Sequence, residues 1–174
     1  MLRLSIITLT FLIAANLQSE ELYFPHVKAK NLNKDSFIIP NSLNKEFNIF
    51  IISFNREMQG EVENWLIDLE SFNNQKSSFD VFNSPVIPDP GRFVRGFINR
   101  GFKSIYKEKS VRDKVIIMYV DGDNFFSTLN INDSLKDKPL VMVLNRNAKV
   151  IYQINDISNP DRIKELEYFI KSYN

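Results

Sequence analysis

Three short runs of nearly unbroken apolar residues constrain this chain more than any other feature: Asn48-Ile-Phe-Ile-Ile-Ser-Phe54, Lys114-Val-Ile-Ile-Met-Tyr-Val120 and Lys138-Pro-Leu-Val-Met-Val-Leu144. Each is rich in β-branched and aromatic residues and too short for a stable helix. None alternates as a strand with one wet face would. Such runs read as strands buried on both faces. A sheet of that kind must be covered on both sides, so the segments between the runs have to supply helices.

They do. From Glu57 the apolar period lengthens, with Met58, Val62, Trp65, Leu66, Leu69 and Phe72 recurring at helical steps and polar residues between them. Asn55 is placed to cap this helix, and Glu57 and Glu61 suit its positive end. Phe79–Phe82 and Pro85–Ile87 read as extended, broken by Pro88-Asp-Pro-Gly91. Phe93 to Tyr106 is a second helix, with Val94, Phe97, Ile98 and Ile105 on one face and Arg92, Arg95, Arg100, Lys103 and Lys107 on the opposite arc. The expectation is a packed apolar face beneath a solvated basic one.

Upstream, Tyr23 to Lys34 is an extended entry segment, and Phe37-Ile38-Ile39 is a short strand ended by Pro40. Downstream, Asp121-Gly122-Asp123 is a turn, Asn124 to Leu129 a short helix, and Asn145-Arg-Asn147 a tight turn into the hairpin partner Lys149–Ile154. Pro160 opens a last helix whose apolar face is Ile163, Leu166, Phe169 and Ile170. The predicted class is α/β, with a central mixed sheet and helices on both faces.

Composition removes several kinds of chemistry. The chain has no cysteine, so disulfides, thiol nucleophiles and thiolate metal sites are all excluded. A single histidine, His26, excludes a multi-histidine metal centre within one chain. Asp121 and Asp123 are better explained by a turn than by an ion-binding loop, because too few oxygen ligands accompany them. No metal or cofactor is expected. Lys and Arg number 22 against 21 Asp and Glu, a balance that argues against a general nucleic-acid binder. Arg3 precedes an uncharged stretch from Leu4 to Ala15 and then a polar segment. That order is the pattern of a secretory signal, and the stretch is too short to span a bilayer, which takes roughly 20 residues. The expected organisation is a signal over residues 1–19 and one domain over 20–174, exported to a periplasmic or extracellular location.

The order of elements resembles the thioredoxin-like superfamily, on its peroxiredoxin side. In that fold a core strand runs into an active-site turn and a long helix, as Ile49–Phe54, Asn55–Gln59 and the Trp65 helix would here. The resemblance implies a proline, usually cis, opening the strand that faces the turn, a place taken by Pro139. The last hairpin fits too, although Ala148 stands where a glycine is common. More narrowly, Ser53-Phe-Asn-Arg56, Gln59, Trp65, the Pro85-Val-Ile stretch and the Arg-rich second helix resemble mitochondrial ATP-synthase assembly factors and their bacterial relatives. That resemblance implies a non-redox protein acting on another protein, a subunit of a membrane complex.

Two candidate surfaces follow. Arg56 and Gln59, with Pro139 opposite, form a turn where an anion or a docked chain could meet a helix start; an ordinary solvated turn with Arg56 paired to Glu57 or Glu61 is the plainer reading. Ser53 lies on a buried strand, far in sequence from His26, and is no nucleophile. The basic second helix, with Arg92 and Arg95 at its start, could instead meet acidic lipid head groups. Trp65 reads as core. A non-thiol enzyme using carboxylate chemistry is the third class in view.

Overall fold

The computed structural model describes residues 21–73 and 79–173. The expected signal over residues 1–19 and the predicted end of the first long helix at residues 74–75 lie outside them. In chain order the elements are β1 (Val27–Asn31), β2 (Ser36–Ile39), β3 (Phe47–Ser53), α1 (Gln59–Asn73), β4 (Phe79–Pro88), α2 (Arg92–Ile105), α3 (Lys109–Asp113), β5 (Ile116–Val120), α4 (Gly122–Thr128), β6 (Leu140–Leu144), β7 (Val150–Asn155) and α5 (Pro160–Ser172). All seven strands join one sheet in the order β2-β1-β5-β4-β3-β6-β7. The three central strands β3, β4 and β5 run parallel, and β1 and β6 flank them antiparallel. The apolar runs are those strands: every residue of β3 and β6 is buried. The extended stretch read from Phe79 to Ile87 is strand β4.

Period two sorts the buried strands onto two faces. On one face Phe50, Ile52, Phe82, Val86, Ile116, Met118, Leu140 and Met142 meet the entry segment and α4 through Phe24, Ile39, Phe125 and Leu129. Ring pairs there sit 5.0–6.3 Å apart, among them Phe37–Phe82 and Phe37–Phe50. On the other face Ile49, Ile51, Phe79, Val141 and Val143 meet α1 and α5 through Val62, Trp65, Leu69, Leu166 and Ile170. Trp65 is fully buried and its indole N–H donates to the Asp156 carbonyl at 3.0 Å, so one bond joins α1 to the end of β7. Asn159 caps α5 through Oδ1, which accepts from the N–H groups of Asp161 and Arg162, with Pro160 in the first turn.

Three expectations are corrected. The apolar face of α2 is not packed: Phe93 is 95% exposed and Phe97 76%, with Val94 and Ile105 exposed as well. The helix docks instead through Phe102, half-buried, and the buried Tyr106 just beyond its end, against Val115, Ile117 and Tyr119. Residues 102 and 106 lie about 140–180° around the helix from 93 and 97, so seating one pair exposes the other. Pro139 does not follow a cis bond; the cis bond among the described residues is Ile39–Pro40. In the last hairpin the positive φ falls on Ala148 (φ 60) and not on an asparagine. Asn145 serves the turn through its side chain, whose Oδ1 accepts from the N–H groups of Asn147 and Lys149.

Candidate functional site

The parallel strands β3, β4 and β5 all end at one edge of the sheet, where open α/β sheets commonly hold ligands. After β3 the chain makes the turn Asn55–Gln59. Its shape has a local cause: Asn55 Oδ1 accepts from the Met58 N–H at 3.1 Å, and the buried Met58 anchors the turn from below. The helical ladder then starts with Val62 N–H donating to Met58 C=O at 2.9 Å. Asn55 thus braces the turn ahead of the helix, whose hydrogen-bonded ladder begins one turn later at Gln59, instead of capping it directly as the sequence suggests. In the β3–β6 ladder Ile52 pairs with Leu140, so Pro139, one step further, lies opposite Ser53 at the base of the turn. The structure thus brings the turn and Pro139 to one edge, but Pro139 and Ser53 are buried and present little surface.

Arg56 is exposed and makes no ion pair among the described residues, so the expected pairing with Glu57 or Glu61 is absent there. Gln59 is tied down. Its Nε2 donates to Glu63 Oε1 at 3.1 Å and also to the Tyr106 hydroxyl, which takes a second bond from Asn83 Nδ2 at 2.7 Å. Burial pushes the Tyr106 hydroxyl up, against the opposing pull of the Gln59 and Asn83 amides. This trio joins α1, β4 and the end of α2. Beside it, Asn83 Oδ1 and Ser84 Oγ are buried with no hydrogen-bond partner among the described residues. No side chain of the turn is a nucleophile, and among the described residues no three His, Asp or Glu groups converge as a metal site.

Arg92 and Arg95 open α2, on the loop that leaves β4. Arg92 is exposed. Arg95 is held: its guanidinium forms a two-pronged pair with the Asp89 carboxylate, with Nε at 2.6 Å, and stacks 5.0 Å from the Tyr119 ring centre. The Arg95 hydrogen bond draws the Asp89 carboxyl below its usual range, and burial pushes the Tyr119 hydroxyl up to about 12. Arg56 and Gln59 lie at the turn after β3, and Arg92 and Arg95 at the start of α2 after β4. Arg95 also lines a groove of about 390 Å³ with Lys28, Lys30, Lys34, Lys103 and Tyr119. The sequence reading passed over those β1 lysines. Their signal was the alternation Val27-Lys28-Ala29-Lys30, which sends both ammonium groups to one face.

No protein-family model matches the sequence, and no curated protein matches it. Solved structures do. A thiol:disulfide interchange protein from Bacteroides sp. aligns over 88% of this chain and 91% of its own, with TM-score 0.58 and 13% identity. Copper-bound yeast Sco1 aligns over 88% and 95%, with TM-score 0.57 and 11% identity. BsSco, a member of the Sco family of cytochrome c oxidase assembly proteins, aligns over 88% and 96%, with TM-score 0.57 and 12% identity.

The fold is thioredoxin-like. Identities this low carry the fold and nothing further. Within that fold this chain lacks cysteine, so the thiol–disulfide chemistry named for the Bacteroides protein is closed to it.

Proposed function

We propose that this thioredoxin-like chain is a non-redox binding protein that works at a membrane surface, with α2 as its contact face. The observation that carries the reading is α2 itself. It exposes Phe93, Val94, Phe97 and Ile105, and its sequence, RFVRGFINRGFKSI, contains four cations and no acid. A helix with aromatic side chains outward and cations beside them is built to lie at an anionic lipid interface. Each exposed Phe forgoes about 2 kcal/mol of burial within the protein, which a bilayer interface returns. The secretory pattern at residues 1–19 accords with a location where such a surface is met. BsSco belongs to the Sco family of cytochrome c oxidase assembly proteins, which supports the narrower idea that this chain holds a subunit during assembly of a complex.

Co-sedimentation with phosphatidylglycerol vesicles tests the membrane contact. The protein should pellet with vesicles, less so as salt rises past about 0.1 M, where the screening length is about 10 Å. Phe93→Ser with Phe97→Ser should leave the protein folded and in the supernatant. A variant that pellets as well as the parent refutes the reading. An insulin-reduction assay should be blank.

A second reading has its own observation. Arg56 is exposed at the turn without an ion pair among the described residues, so a carboxylate-bearing chain could dock there. Arg56→Ala should then weaken capture of a membrane-derived partner. Equal capture removes the turn from consideration.

A further inference from the structure

The sheet is unevenly covered on the α2 side. α2 packs on β4 and β5 through Phe102 and Tyr106, and a groove opens between it and β1 and β2. Val27 and Ala29 of β1 face the core on the other side, which turns Lys28 and Lys30 toward the groove. Lys34 reaches the same space from the β1–β2 turn, and Lys103 and Arg95 reach it from α2. The floor is apolar and aromatic, with Ile38, Ile117 and Tyr119. The result is a groove of about 390 Å³ with five cations in its lining and no carboxylate.

Three features set this groove apart from an ordinary solvated surface. First, Asp89 already holds Arg95, whereas Lys28, Lys30, Lys34 and Lys103 make no ion pair among the described residues. Second, lysines often guard exposed sheet edges against pairing, but the edge here is β2, and Lys28 and Lys30 sit on the inner strand β1. Third, Lys34 is held at φ 77, a left-handed conformation that costs a non-glycine residue about 1 kcal/mol or more. The volume lies in the range of small-molecule sites, about 300–1,000 Å³.

We propose that this groove binds a phosphate-bearing anion. Four ammonium groups without an ion pair among the described residues suit a ligand with at least two negative charges, since each further charge adds to the attraction. Lysine ammonium groups bind phosphate as point charges, and the Tyr119 and Ile117 floor accepts an apolar or planar part of the same ligand. The proposal does not depend on α2 touching a membrane, since the phosphate could belong to a soluble ester or to a lipid head group.

The test uses the full chain and two probes. Inorganic pyrophosphate is titrated by calorimetry, and vesicles containing phosphatidic acid, whose head group is a phosphomonoester, are followed by co-sedimentation. Each is repeated with Lys30→Glu/Lys103→Glu, and with Lys30→Gln/Lys103→Gln should the reversal unfold the protein. Saturable pyrophosphate binding that weakens about tenfold or more in the lysine variant supports a soluble phosphate ligand. No pyrophosphate binding, but vesicle binding lost in the lysine variant, supports a head-group phosphate. The proposal is overturned if neither probe responds to the lysine substitutions. Phe93→Ser/Phe97→Ser separates the two ideas: it should abolish vesicle binding under the membrane reading and leave pyrophosphate binding intact.

Discussion

At the scale of single residues, Ala148 shows how one position is decided by opposing terms. It sits at φ 60 yet is 2% exposed, packed into the core cluster beside Phe24. The left-handed backbone costs an L residue about 1–2 kcal/mol, while its buried methyl contributes about 0.8 kcal/mol. Ala148→Gly should therefore change stability by less than about 1 kcal/mol in a urea titration. Ala148→Val should cost about 2 kcal/mol or more, because a β-branched side chain resists this conformation. Tyr106 is the second case. Tyr106→Phe strands the Asn83 amide in a buried site where Asn83 Oδ1 already lacks a partner, so a loss of about 1–2 kcal/mol is expected from the same titration.

Asp156 carries a prediction in pH. Hydrogen bonds from Lys138, then Arg162, hold its carboxyl down to about 2, from an ordinary value of 3.8. A depressed folded value means that the stabilisation is fully present above 3.8 and lost as pH falls toward 2. It is worth at most about 2 kcal/mol, by 1.36 kcal/mol per unit. Asp156→Asn should lower stability at pH 7 and flatten the acid limb between about pH 4 and 2, followed by denaturant midpoints across that range. An unchanged acid limb would show that the Lys138 and Arg162 contacts are not maintained in solution.

At the scale of elements, α2 is where local pattern and tertiary placement part company. Its amphipathic pattern is plain in the sequence, and the usual inference buries the apolar stripe. The structure seats Phe102 and Tyr106 instead, because Tyr106 has bonds to make with Gln59 and Asn83 inside the sheet's cover. The melting temperature of Phe93→Ser/Phe97→Ser should consequently match the parent within about 2 °C, since neither ring packs against the core. A drop of several degrees would mean that these rings are covered in the folded protein. Asn159 caps α5, while Asn55 braces the turn that leads into α1.

For the whole molecule, both cores share the same central strands, since Phe50 and Ile51 of β3 face opposite sides. Neither face can be lost without exposing the other. Unfolding should be a single transition, with the fluorescence of the one Trp, Trp65, coinciding with far-ultraviolet circular dichroism. Two separated transitions would show the faces melting independently.

The sequence by itself determined the chemistry that is excluded and the class of fold. Absent cysteine is a fact of composition, and buried strands declare themselves through runs such as Ile49–Ile52, where each residue must be apolar because both faces are covered. The start of the last helix at Pro160 was legible because the signals that open a helix are local. Only the tertiary structure decided what lies beside what. Arg56 and Arg95 belong to two candidate surfaces in the sequence, and in the structure their loops follow the different strands β3 and β4. The lysines of β1 gain a role only when β1 is set antiparallel against β5, which makes them one wall of a groove whose other wall is α2. That pairing joins residues about 86 positions apart, and no local pattern records it.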